Sequence, residues 1–376
     1  MKHLLVTNDF PPKFGGIQSY LWELWRRLPA DDVTVLTTPY EGDRAWDAQQ
    51  DFRVVRTEQK VLLPTPALVR QIDGLAADVG AELVVLDPAL PVGAVGPRLE
   101  RPYGLVLHGA EITVYGRLPA SRQLLGHTLR GAGRIIAAGG YPAAEAERAA
   151  GCSLPITLVP PGVDVDRFLP LDDDARRAAR ARLGVPHDAI VVLALSRLVP
   201  RKGFDVVIEA AARLAPRHPA IHVVVAGGGR DLGRLQRVAR RSGAPVRFLG
   251  RVPDDLMPDL YGLVDVFAMV CRGNRWAGLE QEGFGVVFLE AAAAGVAQIA
   301  GRSGGSHEAV VHGTTGLVVD DPSDVGQVAA ALRRFVDDPD ERRAMGASAR
   351  RRAEDEFTYD LLARQLGSAL GTRAPA

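Results

Sequence analysis

Short apolar runs recur along this chain, and each is followed by glycine, proline or a polar residue and then by a helix-length segment. The first half has runs of this kind at 3–7, 33–37, 83–86, 103–107 and 134–138, with a weaker one at 52–55. The second half has them at 189–195, 222–226, 246–249, 264–268, 297–300 and 316–319. Apolar strands separated by helical segments predict parallel sheets with helices on both faces.

The alternation is interrupted at 159–168, where proline and glycine cluster and a charged helical segment follows. We therefore predict two doubly wound α/β domains of similar size, at 1–165 and 166–345, with a helical segment at 346–376 that crosses back to the first domain. Ligands bind such sheets at the carboxyl ends of strands, near the point where the strand order reverses. A deep cleft between the two domains is the expected site.

Composition excludes several classes of protein. The 376 residues are 47% hydrophobic and 24% charged, which argues against disorder. The 45 basic and 45 acidic residues cancel, so a dedicated nucleic-acid binder is disfavoured. No apolar run reaches the ~18 residues of a membrane span, and the first residues do not resemble a signal peptide. Two cysteines, Cys152 and Cys271, form no disulfide or metal framework. We expect a cytoplasmic protein.

The strongest local signal is a pair of glutamates, Glu282 and Glu290, that flank a glycine-containing stretch. Gly283 and Gly285 leave backbone N–H groups open where a helix is predicted to begin, and a helix N-terminus favours anions. Glu290 then lies about one turn into the helix, where it can accept hydrogen bonds from hydroxyl groups. A glycine-rich loop with solvated glutamates is the alternative interpretation.

A second signal, from Ser196 to Gly203, directly follows a predicted strand. It brings Arg197 and Lys202 to a strand's carboxyl end, where both could bind phosphate oxygens. Only four of the 45 cations are lysines, which draws attention to Lys202. A solvated basic loop is the alternative.

Two weaker signals lie in the first domain. Gly15 and Gly16 follow the first strand, where paired glycines let backbone approach a phosphate closely. Neither the P-loop frame nor G-x-G-x-x-G is present, so a nicotinamide dehydrogenase is disfavoured. His108 ends the 103–107 strand and could face the cleft, although a structural, hydrogen-bonded histidine is equally compatible. No second histidine has metal-ligand spacing, so we predict no metal.

Together the Glu282/Glu290 pair, the Arg197/Lys202 pair, the paired glycines and His108 resemble the retaining GT-B glycosyltransferases of family 4 over nearly the whole chain. The resemblance implies two Rossmann-like domains that face each other across a deep cleft. The segments 8–21, 63–66, 196–203 and 248–251 are similar, more narrowly, to actinobacterial phosphatidylinositol mannosyltransferases.

The resemblance implies that the substrate nucleotide sugar is GDP-mannose and that neither a metal nor another cofactor is needed. Arg197 and Lys202 would hold the diphosphate and help catalysis, Glu290 would bind the ribose, and His108 would lie beside the reacting sugar as a neutral imidazole. Sugar hydroxyls would meet catalytic Glu282 and the backbone of the residues that follow it. The backbone near Arg251 and Val252 would meet the base of the nucleotide. The remaining implied donor contacts are Gly15, Gly16, Gly283, Phe284, Gly285, Val286 and Val287.

For the acceptor, the resemblance implies phosphatidylinositol monomannoside at the membrane face. The apolar, proline-interrupted segment 61–69 has basic neighbours, a composition that suits peripheral contact with anionic lipid on the inner face of the plasma membrane. We expect Leu62 and Leu63 to make that contact and Gln18 to meet the acceptor; an ordinary surface loop is the alternative.

Two other functions stay open at this point. The same class of enzyme could use another sugar nucleotide, or a soluble glycan or metabolite as acceptor, although Asp254 and Asp255 could accept from guanine N–H groups. A binding protein without catalysis would show a broken set of site residues, and this chain has every member.

Overall fold

Every strand described here runs parallel to its neighbours, and the strands divide between two sheets in separate units of the chain. The computed structural model describes residues 1–273 and 282–372. The first unit comprises Met1–Gly162 and the segment from Tyr359 onward, and the second comprises Val163–Thr358.

The first unit is built on a seven-stranded sheet. Its strands are β1 His3–Thr7, β2 Val33–Thr37, β3 Arg53–Arg56, β4 Leu83–Asp87, β5 Tyr103–Leu107, β6 Arg134–Ala137 and β7 Ile156–Leu158. The helices between them are α1 Gly16–Trp25, α2 Asp43–Asp47, α3 Pro66–Val79, α4 Ala110–Arg117, α5 Pro119–Gly131 and α6 Gly140–Ala150, with 3-10 turns at Ala30–Asp32 and Val92–Arg98. The strand order is β3-β2-β1-β4-β5-β6-β7, so it reverses between β1 and β4.

The second unit repeats the plan with six strands. They are β8 Ile190–Leu195, β9 Ile221–Ala226, β10 Val246–Gly250, β11 Val266–Met269, β12 Ala297–Gly301 and β13 Gly316–Val319. The helices are α7 Asp173–Leu183, α8 Phe204–Leu214, α9 Leu232–Ser242, α10 Met257–Gly262, α11 Val286–Ala293, α12 Val325–Asp337 and α13 Pro339–Glu356, with 3-10 turns at Pro200–Lys202 and Asp254–Leu256. The order β10-β9-β8-β11-β12-β13 reverses between β8 and β11.

The last helix, α14 Tyr359–Leu370, belongs to the first unit, where Leu362 and Leu366 are buried beside Leu24 of α1. The division between units falls at Gly162/Val163, three residues before the predicted 165/166 boundary. The returning segment begins at Tyr359 and not at 346, because α13 packs on α11 and β12 of the second unit. Residues 373–376 of the predicted segment lie outside the described residues.

Both faces of each sheet are covered by apolar side chains, which explains the near-continuous hydrophobic runs. Successive residues of a strand point to opposite faces. In β1, Leu4 and Val6 enter one buried cluster and Leu5 enters another; in β8, Val191 and Val192 divide in the same way.

The predicted two-domain, parallel α/β architecture is confirmed, and each predicted strand has a counterpart within two residues at either end. The sequence analysis missed β7 at the sheet edge. Its three residues are exposed or half-buried, so no buried apolar run marks it.

Candidate active site

In the second unit, three loops meet at the carboxyl ends of neighbouring strands. A backbone hydrogen bond from Leu198 N to Gly228 O at 2.9 Å joins the loops after β8 and β9. Another, from Gly227 N to Gly250 O at 2.6 Å, joins the loop after β9 to the last residue of β10. The loop after β8 also lies at the reversal of strand order, where ligands bind in this architecture.

Glycine is required for this close approach. A Cβ at Gly227 would lie 2.0 Å from the Ser196 carbonyl oxygen, and one at Gly229 would lie 2.2 Å from that of Leu198. Gly227 also has φ of 118°, which side chains rarely adopt. The Arg251 side chain packs over Gly228 with its Nε 3.0 Å from the position of a Cβ, so predicted donor residue Arg251 adjoins the same turn.

A cavity of about 300 Å³ opens at these loops and is strongly basic. Its lining consists of Arg197, Val199, Arg201, Gly229 and Arg230. The exposed Arg197 side chain has no hydrogen bond or ion pair to the described part of the chain. Guanidinium groups suit phosphate oxygens, so this cavity can bind an anion. Arg197 was expected here; the sequence analysis missed Arg201 and Arg230.

Lys202 has partners that the sequence analysis did not predict. It is buried, and its Nζ lies 2.6 Å from Glu282 Oε2 and 3.6 Å from Met269 Sδ. Arg201 Nη1 reaches the same Glu282 oxygen at 2.5 Å. Lys202 and Glu282, which the sequence analysis placed on separate parts of the donor, therefore pair with each other in this structure.

The Glu282 carboxyl is held ionised by its partners. Burial alone would raise its pKa, but the charges and hydrogen bonds of Lys202 and Arg201 outweigh burial and lower the pKa from 4.5 to about 2. A ligand that draws Lys202 or Arg201 away from Glu282 must compensate for the favourable electrostatic interaction that is lost.

The loop after Glu282 leads into the N-terminus of α11. Gly305 N donates to the Glu282 carbonyl oxygen at 2.9 Å, and a Cβ on Gly305 would lie 1.9 Å from Gly283 O, so this turn also depends on glycine. Gly285, with φ of 97°, caps the helix, which begins at Val286. The first N–H groups of a helix lack intrahelical acceptors and can bind anions or hydroxyl oxygens. The loop and first turn contain the predicted donor residues Gly283, Phe284, Gly285, Val286 and Val287.

Glu290 lies one turn into α11, as the spacing predicts. Its Oε2 accepts a hydrogen bond from the hydroxyl of Tyr261 at 2.6 Å. Burial raises the pKa of the Glu290 carboxyl, whereas the Tyr261 hydrogen bond and the Arg167 charge oppose that rise. Val252, the other predicted base contact, is half-buried against the same apolar cluster as Tyr261.

In the first unit, Asp87 ends β4 where the strand order reverses. It is fully buried, and it accepts from the Thr7 hydroxyl at 2.6 Å through Oδ2. Its Oδ1 lies 2.6 Å from Nε2 of His108. The sequence analysis missed Asp87, although an acidic residue directly after a predicted strand is a usable signal.

The Asp87 carboxylate changes the expected state of His108. Burial alone would lower the pKa of the imidazole, but Asp87 above all, and then Glu111 and Asp9, raise it above 6.5. We expected His108 to be a neutral imidazole, but its raised pKa means that the ring is protonated more readily than a free histidine. Because Asp87 takes Nε2, the atom left to meet a substrate is Nδ1.

The predicted glycine pair lies at the N-terminus of α1, where Gly15 is the N-cap and Gly16 is the first helical residue. A Cβ at Gly15 would lie 2.2 Å from Gln18 Oε1, whereas Gly16 has open space around that position. Gln18 is buried and donates to Asp9 Oδ1 at 2.6 Å, and Lys13 Nζ lies 2.7 Å from the same oxygen. Gln18, predicted to meet the acceptor, is thus engaged with Asp9.

The predicted membrane segment requires one correction. Leu62 is 2% exposed and packs in the core, because Asn8 binds its backbone on both sides, accepting from Leu62 N at 2.7 Å and donating to Leu62 O at 3.3 Å. Its side chain cannot contact lipid in this arrangement. Val61 and Leu63 are more than half exposed.

Within residues 1–273 and 282–372, no group of three or more His, Cys, Asp or Glu side chains could hold a metal ion. Over the same residues, no helix has both the length and the apolar character needed to span a bilayer.

Comparisons with known proteins agree with this geometry. The family profile "Glycosyl transferases group 1" matches residues 175–352, and "Glycosyltransferase Family 4" matches residues 14–167. The chain is 38% identical, over 99% of both chains, to the GDP-mannose-dependent alpha-(1-6)-phosphatidylinositol monomannoside mannosyltransferase of Mycolicibacterium smegmatis. It is 40% identical to the protein of that name from Mycobacterium tuberculosis, over 98% of this chain and 97% of the relative.

A solved structure supports the fold. HepE of Anabaena, crystallised with UDP, superimposes with a TM-score of 0.82 at 23% identity, covering 99% of this chain and all of the other.

The buried ion pairs predict a contrast between two cations. Lys202→Ala is expected to lower the free energy of unfolding by about 2 kcal/mol. That is less than the ~3–5 kcal/mol for a buried charge left without a partner, because Arg201 still pairs with Glu282. Arg197→Ala, which removes an unpaired side chain, is expected to leave stability unchanged and to weaken inorganic pyrophosphate binding about tenfold. Urea unfolding and calorimetry measure both; equal stability of Lys202→Ala and wild type would contradict the pairing.

The Asp87–His108 pair predicts a pH effect. Because folding raises the pKa of His108 above 6.5, the pair stabilises the folded state fully below pH 6.5 and loses that contribution as pH rises through the folded-state pKa. Asp87→Asn is expected to lower the His108 pKa, measured by NMR titration with His108→Gln to assign the signal. Thr7→Val, which removes only the hydrogen bond to the other Asp87 oxygen, is the control. A His108 pKa that is unchanged in Asp87→Asn would refute the coupling.

Proposed function

The chain belongs to the family 4 glycosyltransferases of GT-B fold, and from that membership we propose that it transfers a mannosyl group from GDP-mannose to a phosphatidylinositol mannoside, with retention of configuration and without a metal ion. The observation that carries the proposal is similarity over nearly the full chain to relatives named for this reaction.

The basic cavity of the second unit supports a donor role. Transfer from a nucleotide sugar builds negative charge on the leaving diphosphate, and preorganised cations stabilise such charge most effectively where water is limited. Arg197, Arg201 and Arg230 line one small cavity and would supply that positive charge. We propose that no metal ion is needed because these arginines provide the positive charge that stabilises the leaving diphosphate.

Glu282 and Glu290 have different surroundings, which supports different roles. Glu290 keeps one oxygen without a partner in the part of the chain that the structure describes, so it could accept from the ribose hydroxyls. Glu282 pairs with two cations, and we propose that donor binding draws Lys202 towards the diphosphate and frees Glu282 for sugar hydroxyls. The first turn of α11 would donate to the remaining sugar oxygens.

For the reacting sugar, the first unit supplies His108. We propose that the ring, oriented by Asp87 through Nε2, presents Nδ1 to a sugar hydroxyl and so fixes the sugar's orientation. Such positioning can lower a barrier by several kcal/mol when it acts in the transition state.

The transfer itself is tested with purified protein, radiolabelled GDP-mannose and phosphatidylinositol monomannoside in vesicles. We expect a labelled lipid whose new linkage has the donor's α configuration by NMR, formed equally well with EDTA. Arg197→Ala should lower the rate at subsaturating donor about tenfold. Transfer only from UDP- or ADP-sugars, only to a soluble acceptor, or only with added divalent cation would contradict the corresponding part of the proposal.

Membrane contact is proposed through Val61 and Leu63, with exposed Lys60 and Arg70 close by in sequence. The double variant Val61→Glu, Leu63→Glu is expected to lose most binding to vesicles that contain phosphatidylinositol, because it replaces apolar contacts with negative charge. Leu158→Glu is a matched control, since Leu158 is 50% exposed on β7, at the sheet edge opposite β3. Sedimentation measures binding. If the double variant and Leu158→Glu lose vesicle binding equally, or if neither loses it, this segment is not the membrane contact.

A further inference from the structure

The short helix α10 connects two parts of the proposed donor site. The residues before it, Arg251 and Val252, are the proposed base contacts, and its own Tyr261 donates to Glu290, the proposed ribose ligand on α11. No described contact other than this hydrogen bond involves the Glu290 carboxylate oxygens.

Tyr261 is held rigidly. Its side chain is fully buried, with its ring edge-to-face against Phe168 at 5.6 Å between centroids and tilted against Phe267 at 6.0 Å. Its hydroxyl ends 2.6 Å from Glu290 Oε2. A carboxylate that accepts through one oxygen from a buried, closely packed donor is restricted in rotation, so its other oxygen is presented in a defined direction.

We propose that Tyr261 is a positioning residue for nucleotide recognition, which fixes Glu290 so that Oε1 accepts from the ribose hydroxyls of the donor. The proposal rests on the ribose role of Glu290 proposed above. Tyr261 touches no ligand itself and acts through the carboxylate.

Electrostatics support the same assignment. Burial raises the pKa of Tyr261 well above 10, so its hydroxyl stays a donor throughout the neutral range. The groups that act on the Glu290 charge are Tyr261 and Arg167, which lower its pKa, and Asp254, which raises it. Without the Tyr261 hydroxyl, the Glu290 pKa should rise further, and ribose binding should weaken at a higher pH than in wild type.

The test compares nucleotides with and without ribose hydroxyls. Calorimetry measures the affinities of wild type, Tyr261→Phe and Glu290→Gln for GDP and for 2′,3′-dideoxy-GDP. The same measurements with UDP and 2′,3′-dideoxy-UDP keep the test valid if the site prefers uracil to guanine. Tyr261→Phe keeps the buried ring and removes only the hydroxyl. Tyr103→Phe is the matched control, because it removes a hydroxyl that donates to the Thr128 backbone at 2.7 Å in the other unit.

We expect Tyr261→Phe to bind GDP about tenfold more weakly than wild type and dideoxy-GDP equally well. The double variant with Glu290→Gln should bind GDP no more weakly than Glu290→Gln alone, since both changes act on one interaction. Tyr103→Phe should match wild type.

The contrary outcomes separate the two proposals. Glu290→Gln could lose the preference for the nucleotide over its dideoxy form while Tyr261→Phe keeps that preference or binds both nucleotides equally more weakly. In that case the positioning role of Tyr261 is wrong and the ribose role of Glu290 stands. If wild type itself binds each nucleotide and its dideoxy form equally well, Glu290 does not bind the ribose hydroxyls. Both the ribose role of Glu290 and the positioning role of Tyr261 then fail.

Discussion

The largely buried carboxylate of Glu282, whose side chain is 14% exposed, joins the loops of the second unit's site. It draws Lys202 and Arg201, from the loop after β8, onto the loop that leads into α11. Buried ion pairs are costly to break, because the partner that remains is left charged in a poorly solvated place. The positions of the basic cavity and of the α11 N-terminus are therefore coupled through one side chain, and an anionic ligand that competes for Lys202 would act on both.

In both units, hydrogen bonds or ion pairs fix side chains close to the point where the strand order reverses. In the first, buried Asp87 fixes His108 through Nε2. In the second, Glu282 holds Lys202, and Tyr261 holds Glu290 in turn. In each case a hydrogen-bonded or ion-paired partner orients a group proposed to meet substrate; Asp87 and Tyr261 are fully buried, and Glu282 is largely so. Such support limits the conformations of the functional side chain before any ligand binds.

Much of this could be predicted from the sequence, since apolar runs mark buried parallel strands and polar residues directly after them fall at one sheet edge. Arg197 and His108 were selected in this way, and Glu290 was selected from its spacing after Glu282 and the glycines that precede a predicted helix. The pairing of Arg201 with Glu282 was not, because it joins residues 81 positions apart. Such pairs depend on which loops the folded sheet brings together. Leu62 was misplaced for a similar reason, since the loop has no periodicity and its direction is set by hydrogen bonds from Asn8.

We propose that the loops after β8, β9 and Glu282 form one binding site for a nucleoside diphosphate. A crystal structure of the protein with GDP tests it most directly. We expect the diphosphate to lie against Arg197, Arg201 and Arg230, and the ribose hydroxyls to donate to Glu290 Oε1. Lys202 should be shifted from Glu282 towards the phosphates. GDP bound away from these arginines, or a ribose that does not contact Glu290, would contradict it.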